Sequence, residues 1–196
     1  MPDTDPSLAA LWRERRGPCP PIAHRFRTAY ADRWVRFHSL PASKRYPGNE
    51  GEYAVALGRC NTVLDELFRG EEVFVVTQDW SPTRTGPPGW RSPREALHPD
   101  GVLWWTEADE DDPDPEFHTY THLYADRRPW RTGCVDELLR AVADEVLVDV
   151  FLTDTGLRRI HHPYDGGADV ILDSPAERDR FRERHADWLS GQPSGL

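Results

Sequence analysis

The chain has 196 residues, enough for one domain with a sizeable core, and its 24 Lys and Arg against 34 Asp and Glu give a net charge of −10. That balance repels nucleic-acid backbones and acidic membranes unless a local patch overrides it, so nucleic acid and membranes are poor partners. No apolar run approaches the roughly 18 residues of a membrane span and the N-terminus lacks a basic-then-apolar leader, so a cytoplasmic protein is expected.

Leu8, Leu11 and Trp12 fall at helical spacing behind Ser7 as an N-cap, and Gly17-Pro18 ends the pattern. Residues 33–40 read as an extended segment stopped at Pro41. Asn49 and Glu52 form a capping box for the best helix of the chain, with Tyr53, Leu57, Cys60, Leu64 and Leu67 on one face until Gly70. Val73–Thr77 and Val102–Thr106 are strands by their β-branched and apolar content. Between them, Asp79–Gly101 carries five Pro and three Gly and reads as a long loop, a candidate lid. Glu107–Glu116 holds seven acids in ten residues and reads as a solvated acidic loop, without the ligand alternation of a calcium loop. Phe117–Tyr124 alternates as a strand. Thr132 can cap a helix with Val135, Leu138, Leu139 and Val142 inward, and Val146–Thr153 follows as a strand. Turns at Asp154-Thr155-Gly156 and at Asp165-Gly166 separate two more strands, the second turn with glycines that accept positive φ. Ser174-Pro175-Ala176-Glu177 opens a last helix with Phe181, Trp188 and Leu189 inward. Strands that follow one another through short turns imply a single α+β domain over residues 8–189, with a mostly antiparallel or mixed sheet covered by about four helices. Residues 1–7 and 190–196 are expected to be flexible ends.

Charge is unevenly placed. From Trp12 to Tyr46 there are nine Arg and Lys, including Lys44, the only lysine, against two Asp and Glu. Arg36, His38, Ser43, Lys44 and Arg45 supply donors suited to phosphate or carboxylate groups, or else pair with the acidic surplus and form an internal electrostatic joint. The interleaved Phe26, Tyr30, Trp34, Phe37 and Tyr46 are better read as core than as a base-stacking surface. His118 and His122, four apart in a strand, lie roughly 13 Å apart, too far to share a metal ion. His161 and His162 point to opposite faces of a strand. Cys19, Cys60 and Cys134 include no C-x-x-C pair and indicate free thiols, although Cys134 in the first turn of a helix would have a lowered pKa. No metal and no cofactor is expected.

Three blocks in order, RFHSLPASKRYPGNEGEY, NTVLDELF, and HHPYDGGADVIL with the closing DWLS, resemble a bacterial family described as domain-of-unknown-function family 3885. The resemblance covers most of the chain and implies a compact bacterial domain without an established activity. Its signature falls on Arg36, His38, Ser43, Lys44, Arg45 and Tyr46, and on Pro163, Tyr164, Asp165, Gly166, Gly167 and Asp169. It places Asp165 or Asp169 beside Lys44 and Arg45, as a structural ion pair or as an acid/base pair at an anion pocket. A small acidic α+β domain with exposed aromatics and no recognisable catalytic set makes a non-enzymatic binding or protein-interaction module the first functional expectation, its partner a protein or an anionic small molecule. The alternative is an enzyme on a phosphorylated or other anionic small molecule. In that case Arg36, Ser43, Lys44, Arg45, Tyr46, Tyr164 and Asp169 bind the ligand, and His38 or Asp165 transfers protons.

Overall fold

A computed structural model describes residues 6–85 and 92–189. Seven strands, β1 (Trp34–His38), β2 (Glu72–Ser81), β3 (Val102–Asp109), β4 (Thr119–Pro129), β5 (Phe151–Asp154), β6 (Ile160–Tyr164) and β7 (Gly167–Ile171), form one sheet in the order β1-β7-β6-β5-β2-β4-β3. Every neighbouring pair is antiparallel. On one face pack α3 (Glu50–Phe68), α5 (Asp136–Ala143) and α6 (Pro175–Arg184), whose Leu64, Phe68, Leu138 and Phe181 meet Val35, Phe37, Val75 and Val170 of the sheet. The other face lies under α1 (Pro6–Arg16) and the one-turn α2 (Phe26–Ala29), where Trp12 packs among Phe26, Trp104 and Phe151. The fold is thus α+β, with its sheet buried on both sides. Among the described residues no helix is long and apolar enough to cross a membrane.

Local chemistry explains the element boundaries and several departures from the sequence reading. Asn49 accepts from Glu52 N–H as expected, but the Glu52 carboxylate turns away to Gly48 N–H and Lys44 Nζ rather than closing the box. Asn61 and Asp65 of α3 take Gly133 N–H and the Thr132 hydroxyl. Thr132 therefore caps nothing, α5 starts only at Asp136, and Cys134 stands outside the first helical turn, where the helix-dipole argument for an activated thiol does not apply. The strand expected over Val146–Thr153 begins at Phe151, because Glu145 and Asp149 adopt left-handed φ of 56° and 53° and throw residues 144–150 into a loop.

The proposed lid is largely built into the fold. Asp79–Ser81 finish β2, and α4 (Pro93–Leu97) presses Arg94 onto Asp79 at 2.6 Å and over the Tyr124 ring. Residues 86–91 of that stretch lie outside the described residues. So do 1–5 and 190–196 of the expected flexible ends, while Pro6 and Ser7 open α1. His122 is buried against Ser81 and Thr106, whereas His118 precedes β4 and meets the Asp112 carbonyl. The Asp165-Gly166 turn closes the β6–β7 hairpin with neither Gly166 nor Gly167 in the left-handed region. Gly167 is needed instead for close approach, since a Cβ there would stand 2.2 Å from the Phe37 carbonyl oxygen.

Candidate functional site

The β1–β7–β6 register sets Arg36, Asp169 and His162 side by side across three strands. By strand alternation they share the face that carries α2. Arg36 holds Asp169 through two bonds of 2.8 and 3.2 Å, and its guanidinium lies 4.9 Å from the centre of the Tyr164 ring. Beside this row the 144–150 loop brings in Asp149, and the segment before and within α2 brings in His24 and Arg27. Together they enclose a cleft of about 300 Å³ with Val142, Leu147, Val148 and Pro163 as its apolar lining.

Asp149 is the hub. One of its oxygens meets His24 Nδ1 at 2.9 Å and accepts from Gln78 Nε2 at 3.3 Å, and the other lies 3.5 Å from His162 Nε2. Burial alone would raise its carboxyl, yet hydrogen bonds from His162 and His24 outweigh this and hold the group below the usual carboxylate range. Burial pushes the Tyr164 phenol up, so that ring is a neutral O–H group at physiological pH. Four carboxylates line the cleft, and each has a cationic or imidazole neighbour: Asp149 the imidazoles, Asp169 Arg36, Asp165 Arg45, and Glu145 the same Arg45 at 4.0 Å. Two donors at the cleft have no hydrogen-bond partner among the described residues. Arg27 makes no hydrogen bond or ion pair among the described residues, and the Tyr164 hydroxyl makes no hydrogen bond there.

The structure joins the two segments singled out in the sequence: Ser39 N–H donates to the Gly166 carbonyl, Arg45 pairs with Asp165, and Arg36 with Asp169. It does not gather all their side chains at one point. Lys44 turns to Glu52 at 2.6 Å, Ser43 is exposed on the bend after β1, and Tyr46 lies exposed under Arg45. His38 lines a separate small cavity with Cys60 and His161, and burial followed by the charge of Arg36 lowers its pKa. Asp165 and Asp169 reach the cleft, whereas His38 does not line it. His24, Arg27 and Asp149 were missed by sequence reasoning.

A second array has the connectivity of a hydrolytic triad. Thr77 Oγ1 is 2.7 Å from His98 Nδ1, and His98 Nε2 is 2.6 Å from Asp126. Thr77 and His98 are both 0% exposed, so no substrate reaches them. These contacts anchor the chain after α4 across β2 and β4. Among the described residues no group of three or more His, Cys, Asp or Glu could hold a metal ion.

The fold and cleft define a single antiparallel α+β domain with a small-molecule-sized recess beside the β6–β7 hairpin. The chain belongs to the DUF3885 family, described as a domain of unknown function, whose profile matches residues 22–193. No curated protein and no solved structure matches it.

Proposed function

We propose that this chain is a binding module that takes a small organic anion with an apolar body into the cleft between α2, the 144–150 loop and the β6–β7 hairpin. The observation that carries this reading is Arg27, a cation without an ion-pair partner among the described residues, facing a cleft whose carboxylates are otherwise engaged. Arginine suits a carboxylate or phosphate oxygen through its planar fork of donors. Val142, Leu147, Val148 and Pro163 suit an apolar body, and about 300 Å³ lies at the small end of ligand sites. Lys44 and Arg45 are left out of the binding set because Glu52 and Asp165 already hold them, which favours the electrostatic-joint reading of that segment. A cytoplasmic location fits such a ligand and remains part of the proposal.

The test is thermal shift against a panel of aryl and alkyl carboxylates and phosphates. A ligand at about one hundred times its Kd stabilises the fold by roughly 2.7 kcal/mol. Arg27→Ala should remove that gain, while Lys44→Ala with Arg45→Ala should keep it. A gain lost in the second variant and kept in the first would overturn the assignment.

A further inference from the structure

We infer that His24 is a general base acting on the anion held in this cleft, with Asp149 as the residue that positions it. The inference rests on the binding reading above and adds chemistry to it. Asp149 is ionised and faces His24 Nδ1 at 2.9 Å, so Nδ1 carries the proton and Nε2 presents its lone pair. The His24 side chain is 63% exposed, while that of Asp149 is only 19% exposed. A sheltered carboxylate thus orients an accessible imidazole, as a hydrolytic dyad requires. Gln78 and His162 hold the same carboxylate from the sheet side, fixing its direction. The buried His98–Asp126 pair, joined through Nε2 at 2.6 Å, has no access, which leaves His24 as the dyad that solvent and ligand can reach.

Arg27 stands three residues after His24 in consecutive helical turns, a spacing that puts both on one face. Both side chains line the cleft, so an anion paired with Arg27 lies beside the His24 ring. The step is a proton transfer. An X–H bond of the ligand breaks, the proton goes to Nε2, and the electron pair stays on X. Asp149 balances the imidazolium that forms, and Arg27 faces the added negative charge on the ligand.

Alkylation with iodoacetate and with iodoacetamide tests the two layers separately. In either reaction the Nε2 lone pair forms an N–C bond and iodide leaves. Peptide-resolved mass spectrometry separates His24 from the thiols, and N-acetylhistidine amide in the same solution serves as the standard. We expect His24 to react roughly tenfold faster than the standard with iodoacetate, because the anion is delivered beside the base. The preference for iodoacetate over iodoacetamide should vanish in Arg27→Ala. In Asp149→Asn, a residue equally tolerant of the left-handed backbone, the His24 rate should fall to that of the standard because the carboxylate that orients the ring is gone, and Asp149→Glu should restore part of it. Fast reaction without preference between the reagents would keep the base and overturn the anion reading. A preference for iodoacetate at a rate no higher than the standard would keep the anion reading and overturn the base.

Discussion

His161 sits in the core between the sheet and α3 with both ring nitrogens buried and without a hydrogen-bond partner among the described residues. Burial, with a smaller effect from His162, lowers its pKa from an ordinary 6.5 to about 3. The folded chain then holds a neutral imidazole where the unfolded chain binds a proton. His161 therefore costs no stability above pH 6.5, and stability is lost progressively as pH falls from 6.5 towards 3. At about 1.4 kcal/mol per pH unit below the unfolded value, this amounts to roughly 2 kcal/mol between pH 7 and pH 5. His161→Leu has no such proton to bind, so its stability should fall less over the same interval by about that amount. His38, His122 and His185, also lowered mainly by burial, remain in both proteins and largely cancel in the difference. Urea melts at pH 7 and pH 5 for both proteins measure it. Equal losses in the two would refute the reasoning, because they would mean that the His161 ring is solvated or protonated in the folded state.

Arg36→Ala leaves the sheltered Asp169 carboxylate without its two charge-assisted bonds and should cost about 3 kcal/mol in urea melts. Lys44→Ala should leave the urea midpoint near that of the parent, since that side chain pairs at the surface. Gly167→Ala drives a Cβ against the Phe37 carbonyl and the Tyr164 hydroxyl, so it should destabilise by about 3 kcal/mol and disturb the cleft, visible in amide spectra of β1 and β6. Asp126→Asn should flatten part of the acid-side loss of stability. Burial would raise that carboxyl, but His98 and Arg128 together hold it low, and the stability it confers is present above the unfolded value and lost as pH falls through the folded one.

Much of the architecture is legible from residue order. The helix at Asn49 and the helix at Ser174 carry their caps in the sequence, and the Asp165-Gly166 turn separates β6 from β7 as its composition implies. The loop at 144–150 is not legible. Val146, Val148 and Val150 alternate as a strand would, yet Val146 and Val148 stay 50% and 60% exposed while left-handed Glu145 and Asp149 bend the chain. Nothing local marks Glu145, and Asp149, although an aspartate tolerates the left-handed region, is masked by the valines that alternate around it. The proposed binding residues are hidden for a different reason. His24 and Asp149 meet across 125 positions, and His24 and Arg27 lie among aromatic residues whose core role dominates the local pattern. Short strands buried on both faces, such as Gly167–Ile171, also lack the alternation that would show which face carries Asp169.

Anion binding in the cleft is read by an NMR titration of the histidine ring and arginine side-chain signals with phenylacetate, run beside its neutral isostere phenylacetamide. Saturable shifts of His24 and Arg27 are expected with the anion and not with the amide, and the His24 shift should be lost in Arg27→Ala. Shifts of Lys44 and Arg45 with His24 and Arg27 unmoved, or equal responses to the anion and the amide, would contradict it.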